Sequence, residues 1–337
     1  MPCRVGMIGM GRISEAHLHA LKRLPNVELI AAFDKDHSKA IKAVQRFGGQ
    51  AYRDVDALLD MDLDLVIICA PTFAHKDYVV KAAAFGKHVL CEKPMALTLD
   101  EADQMIAACR NAGVKLMVGH VLRFYPEFKK LHELIKAQDF GKLLHLRSER
   151  LSGLAGQSWD RWLLREDRSL GAIDIHIHEL DFALWTLGTP GSVTSMGANP
   201  DGENVIHIST LMDYGYGLHA SLEGSFMMPE SYGFSFSTRA IFEGAAVIYH
   251  FQGARYDTPS RTSFMIHHPD GTEAISIMAS DPYQDELQYF LSCIREDRTP
   301  QVASGEEGRK ALALALDIRR SLKTGKSVKP SAKAALC

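Results

Sequence analysis

The chain has 337 residues, 46% of them hydrophobic, enough to bury more than one core, and its length predicts about two domains. Its formal net charge is -3, with both signs spread along the chain; this excludes a basic field for nucleic acid and favours a small neutral or mildly polar substrate. The opening MPCRVGMIGMG reads as neither signal peptide nor membrane anchor, no apolar run is long enough to span a bilayer, and six cysteines without CxxC spacing point to reduced thiols in the cytoplasm.

RVGMIG (4–9) reads as a short buried strand and Ile13–Leu24 as a helix, joined by the turn GMGRIS. A strand, a glycine turn and a helix make a place for a dinucleotide's pyrophosphate at the helix N-terminus. Gly9 permits the tight turn, Gly11 lets the pyrophosphate approach the backbone, and Ser14 takes the third small position; Arg12 and Ile13 open the helix beside the cofactor. The next strand, VELIAAF, ends at Asp34, about 20 residues beyond the glycines, where a carboxylate accepts from the adenosine ribose hydroxyls. Lys35 beside it is a cation that can hold a 2′-phosphate, but the Asp34 carboxylate makes NAD the expected cofactor and NADP the lesser expectation.

DLVIICAP (64–71) is a near-continuous apolar run, the mark of a parallel strand covered on both faces. Its carboxyl end brings Ala70, Pro71, Thr72 and His75 to the edge where open α/β sheets bind ligands. KHVLCEKP (87–94) carries Glu92 and Lys93 to the same edge, and Pro94 turns the chain out of the sheet. The Lys93 ammonium is expected to point toward the nicotinamide end of a bound dinucleotide. VKLMVGH (114–120) follows the helix Glu101–Asn111 as a further strand, and the division expected is a dinucleotide-binding domain over 1–122 and a second domain over 123–337.

His120, Arg123 and Tyr125, after that strand, are polar residues suited to a polyol, with Arg123 also near the cofactor. From Lys142 onward the segments LLHLRSER, VTSMGA, VIHISTLMDY, GLHASLEGSF, GFSFSTRAIFEG, AVIYHF, TSFMIHH and EAISIM predict a large open, mostly antiparallel sheet. One face is covered by the chain; a partner subunit is the simplest cover for the other, which predicts self-association.

GAIDIHIHELDFALWTLG (171–188) reads as a helix through Ile173, Ile177, Leu180, Leu184 and Leu187, ended by Gly188. At about 100° per residue, Asp174 and His178 lie within about 40° of each other, while His176 is about 200° from Asp174. HxH on a helix splays its rings, so a metal site is not expected; an acid/base pair needs only the carboxylate and imidazole present, and a structural Asp–His pair is the plain alternative. His176 either shapes a substrate pocket or fills a gap. Trp159 and Arg161, before this helix, and Tyr283, near the end of the chain, complete the substrate-binding candidates.

In this order, GMGRIS, Asp34, APTFAH, CEKP and the DxxxH of DIHIH resemble the glucose-fructose oxidoreductase / inositol dehydrogenase / MocA family of NAD(P)-dependent oxidoreductases. The resemblance covers nearly the whole chain, through GHVLRFYPEFKKL, SLGAIDIH and YQDELQYFLSCIREDRTP. It implies a Rossmann domain followed by an open-sheet α+β domain, and hydride transfer between a secondary hydroxyl of a sugar, inositol or polyol and nicotinamide. It further implies that Lys93 polarises the reacting oxygen, that Asp174 and His178 form a coupled pair with the histidine as proton carrier, and that subunits join as a homodimer or homotetramer through the open sheet. Ser14 and His176 depart from the family pattern, the latter where glycine is frequent. Two rival readings stay open: an NAD-dependent glycosidase on the same fold, and a non-catalytic NAD-sensing protein.

Overall fold

Apolar runs become largely buried strands, β1 (Cys3–Ile8), β2 (Val27–Phe33), β4 (Leu65–Ile68), β5 (His88–Cys91) and β6 (Leu116–Val118), with the short, more exposed β3 (Gln50–Tyr52) added at the edge. They stand in the order β3-β2-β1-β4-β5-β6, every neighbouring pair parallel. The order reverses between β1 and β4, so the connections leaving these two strands part at their carboxyl ends and open a crevice for a ligand. The helices are α1 (Arg12–Arg23), α2 (His37–Phe47), α3 (Val55–Leu59), α4 (His75–Ala84) and α5 (Leu99–Asn111). Three strands are shorter than the apolar runs that predict them, because the chain leaves the ladder before the residues of the ligand edge. The computed structural model describes residues 2–154, 159–199, 204–255 and 259–331, without the side chains of 159–161.

Next come α6 (Pro126–Ala137), β7 (Leu143–Leu151), α7 (Ile173–Leu187), β8 (Ser192–Ala198), β9 (His207–Gly215), β10 (Leu218–Ser225), β11 (Ser235–Phe242), β12 (Ala246–Gln252), β13 (Arg261–His268) and β14 (Gly271–Ala274). Their eight strands form one sheet, β14-β13-β12-β11-β7-β10-β9-β8, antiparallel except where β7 pairs with β10. Of EAISIM only Glu273 and Ala274 lie in a strand; Ile275 keeps one bond to Phe264 O and the rest leaves the ladder. The inward residues Leu146, Ser148 and Arg150 of β7 and Ala220 and Leu222 of β10 are buried, and α7 packs over these two strands. On the opposite face Met196 and Leu211 are 78% and 51% exposed.

The chain ends with α8 (Pro282–Arg295) and α9 (Gly305–Thr324). Two compact units result: Met1–Phe124 with Ser280–Leu312, and Tyr125–Ala279 with Ala313–Cys337. This division differs from a single cut after residue 122, and the reason is burial: Leu287, Phe290 and Cys293 of α8 belong to the same core as Met7, Leu18, Leu65 and Leu90. Among the described residues no helix is long and apolar enough to cross a membrane.

Candidate active site

The first unit builds a dinucleotide cradle from its glycine turn. Gly9 has φ +92°, and a Cβ there would stand 2.6 Å from the Ala70 amide nitrogen, so only glycine lets the end of β1 turn against the end of β4. Gly11 caps α1, and a Cβ added to it would meet nothing within 4 Å; this open space over a helix N-terminus is what a pyrophosphate needs. Ser14 is buried and donates its hydroxyl to Gly11 O at 2.6 Å, so the serine ties the turn as well as fitting it. Arg12 is exposed and Ile13 half-buried.

The Asp34 carboxylate accepts from Met10 N at 2.7 Å and from Asp36 N at 2.8 Å, one bond on each oxygen. It is thereby fixed beside the glycine turn, with acceptor capacity left on both oxygens for a ribose hydroxyl. Lys35 next to it is exposed. These features fit a nicotinamide dinucleotide.

After β4, Ala70 and Pro71 are half-buried and Thr72 is buried at the start of a 3-10 turn. His75, expected among the cofactor contacts, is instead buried, with Nε2 2.7 Å from Ala70 O and Nδ1 3.0 Å from Pro94 O. Burial lowers its pKa and keeps the ring neutral with a single N–H, so His75 donates to one of these main-chain carbonyls and lies against the other, between two loops.

Along Cys91–Ala96 every residue is buried except Lys93. Glu92 beneath it holds His17 Nε2 at 2.8 Å with one oxygen and accepts from Lys93 N at 3.1 Å with the other. Burial acts to raise the Glu92 carboxyl, but the His17 bond and charge, together with Lys93, hold it below its ordinary value. Glu92 thus supports the Lys93 backbone.

His120 is buried. Arg123 is buried too, its Nη1 bonded to Glu307 Oε2 on α9; the guanidinium expected at the ligand braces a helix. The Tyr283 ring stands edge-on to His17, centroids 5.4 Å apart. In the second unit, the Tyr125 ring packs on Phe128 and Phe236. The backbones of Trp159 and Arg161 lie in the 3-10 turn Trp159–Leu164, and their side chains lie outside the described residues.

From Ile173 to Ala183 on α7 every residue is buried except Asp174 and His178. One turn apart, they form the only accessible strip on the first three turns of this helix. His176 is fully buried: Nε2 lies 3.1 Å from Thr210 Oγ1, and a Cβ on Gly224 would stand 2.7 Å from the His176 Cβ. Burial depresses its pKa to about 3, so the ring stays neutral. Of the two roles open to His176, filling a gap is the one this burial favours.

Sequence reasoning missed the buried ion pair behind this strip. Arg150 Nε bonds Glu179 Oε1 at 2.8 Å, with the guanidinium 4.8 Å from the Phe236 ring. The signal was present: Arg150 is in phase with inward-facing Leu146 and Ser148, and Glu179 lies on an otherwise apolar helix side. Among the described residues no group of three or more His, Cys, Asp or Glu side chains is arranged to hold a metal ion.

Residues 3–120 match the model of the oxidoreductase family with an NAD-binding Rossmann fold, and residues 128–249 match that of the GFO/IDH/MocA C-terminal domain. The chain belongs to the Gfo/Idh/MocA oxidoreductase family. It is 28% identical to myo-inositol 2-dehydrogenase of Thermotoga maritima over 97% of this chain and 98% of that protein. It is 32% identical to 2,7-anhydro-N-acetylneuraminate hydratase of Escherichia coli over 58% of this chain and 52% of that protein, so the match spans about half the relative's length. Among solved structures, UDP-N-acetylglucosamine 3-dehydrogenase from Acidithiobacillus ferrooxidans superposes with a TM-score of 0.78 at 26% identity, covering 96% of this chain and 99% of that one.

Proposed function

We propose that the protein reversibly oxidises a secondary hydroxyl of a sugar, inositol or related polyol, with NAD as cofactor. The observation that carries this reading is selective exposure: in two otherwise buried segments, Cys91–Ala96 and Ile173–Ala183, Lys93, Asp174 and His178 alone are not buried. Solvent access for these three side chains is what acid/base work on a ligand requires.

In the oxidative direction His178 accepts the alcohol proton, and Asp174, one turn away, orients the imidazole and stabilises its charged form. Lys93, as ammonium, stabilises charge developing on the same oxygen. Gly11 and the N-terminus of α1 would hold the pyrophosphate, and Asp34 would hold the adenosine ribose. A bound nicotinamide supplies hydride acceptance. Similarity to two sugar or inositol dehydrogenases supports the substrate class. The described cysteines are free thiols, four of them buried, which suits a reducing cytoplasm.

The test is a screen of inositols, aldoses, sugar acids and glycosides with NAD and NADP, following nicotinamide absorbance. Reduction with one polyol class is expected; silence across all of them overturns the reading. A redox-neutral outcome is a second reading, favoured by the hydratase among the relatives. It would release an altered sugar without net NADH.

NAD should bind at least about tenfold more tightly than NADP, because the Asp34 carboxylate accepts from a hydroxyl and repels a phosphate of about -2 charge. Dissociation constants for the two cofactors measure this. Tighter NADP would pass control of the site to the exposed cations Arg12 and Lys35.

Exposure of Met196 and Leu211 on one face of the eight-stranded sheet leads us to expect a homodimer or homotetramer assembled on that face. Light scattering at micromolar concentration checks it. A single species near the chain mass of 37.3 kDa would remove the proposal.

A further inference from the structure

Two buried imidazoles, on different helices, reach the residues on the two sides of Lys93. His17 on α1 is 0% exposed and bonds Glu92 Oε1 at 2.8 Å, while the other oxygen of that carboxylate accepts the Lys93 amide N–H at 3.1 Å. His75 at the start of α4 is 1% exposed and lies 3.0 Å from the carbonyl of Pro94, the residue after Lys93, and 2.7 Å from Ala70 O at the end of β4. The Glu92 carboxylate is itself confined: a Cβ on Gly119 would stand 3.1 Å from it. The backbone of Lys93 is therefore held by one side chain through a carboxylate and, with the His75 proton on Nδ1, by another through the Pro94 carbonyl, while its own side chain stays accessible.

We propose that His17 and His75 are positioning residues for Lys93, His17 acting through Glu92 and His75 through the Pro94 carbonyl. The proposal rests on the reading of Lys93 as the group that stabilises charge on the reacting oxygen. A side chain on an extended loop after a strand would otherwise wander with its backbone, and displacement of a catalytic group by about 1 Å costs on the order of 10²-fold in rate. Neither histidine needs to reach a ligand in this arrangement. The buried hydrogen bonds on the Lys93 loop give both imidazoles a place in the chemistry that packing alone would not.

The test compares His17→Leu with His17→Gln, whose amide can still reach Glu92, and His75→Leu with His75→Asn, whose amide can still reach Pro94 O. Amide hydrogen exchange of Lys93 is read on the protein without added ligand; kcat, KM and the NAD dissociation constant are read with the best substrate of the polyol screen. Each leucine variant is expected to speed Lys93 amide exchange at least about tenfold and to lower kcat about 10-fold to 10²-fold, with KM and NAD affinity within about twofold. The Gln and Asn variants are expected to recover most of both losses. Wild-type exchange and kcat in the leucine variants, or equal losses in the leucine and amide variants, would overturn the proposal. If a leucine variant does not fold, His17→Asn, too short to reach Glu92, and His75→Val take their places. Lys93→Met measured alongside separates the two levels of the argument: full turnover there sinks the role of Lys93 itself, whereas an inactive Lys93→Met beside fully active His17 and His75 variants sinks only the positioning.

Discussion

Replacing His178 by Gln is expected to depress turnover by about 10²-fold to 10⁴-fold while leaving the NAD dissociation constant within about twofold, the signature of a lost proton acceptor. Glutamine keeps the polarity and approximate size of the side chain and lacks a basic nitrogen, so the loss reads chemistry rather than packing. The control is His176→Ala, two residues away on the same helix. That ring is buried against Gly224 and bonded to Thr210, so its removal should cost roughly 2–4 kcal/mol of stability and little turnover in the protein that remains folded. Denaturant unfolding and steady-state kinetics on both variants make the comparison. Equal loss of turnover in the two, restored in either by added zinc or manganese, would place a metal on this helix. Unchanged turnover in the His178 variant on a verified substrate would leave α7 structural and pass the proton to another group, Lys93 first.

How much of this was legible in the sequence depended on how local the cause was. The glycine turn and Asp34 could be read because a strand, a turn and a helix follow one another directly, and the reading gains its physical basis at Gly9, where only glycine fits against Ala70. The common accessible strip of Asp174 and His178, and the separation of His176 from it, followed from helix periodicity alone. Local rules failed where distant segments meet. Nothing beside His75 in the chain announces that Pro94 O will occupy its ring, and nothing near Arg123 points to Glu307, 184 residues away. The return of α8 to the first unit was equally silent: its apolar stripe declares a buried face without saying which core buries it. A bare glycine at 224 likewise acquires its reason only once the His176 ring is seen to stand in the space a side chain would take.

That same returning helix carries a group whose cost can be measured. Glu286 on α8 is fully buried, and neither of its carboxyl oxygens has a hydrogen-bond partner. Burial first, and then the charge of Glu92, push its carboxyl well above the usual carboxylate range, so in the folded protein it is held as the neutral acid. In the unfolded chain the same group titrates near about pH 4.3. Above that value the folded state binds one more proton than the unfolded state, and stability therefore falls as pH rises, by about 1.4 kcal/mol per pH unit, until the folded-state pKa is reached. Below it both states are protonated and the penalty vanishes. Glu286→Gln keeps the shape of the neutral acid and removes the titration. The variant should be more stable than the parent at pH 7, with the gap closing steadily toward pH 4.5. Urea unfolding of both proteins at half-unit steps from pH 4.5 to pH 8 gives the two curves. Parallel curves would mean that Glu286 carries its charge in the folded state, beside the charge of Glu92; a variant less stable at every pH would mean that the carboxyl makes bonds an amide cannot replace. Convergence at low pH, with separation at high pH, is the outcome that follows from a neutral carboxylic acid buried on α8 within the field of the Glu92 carboxylate that supports Lys93.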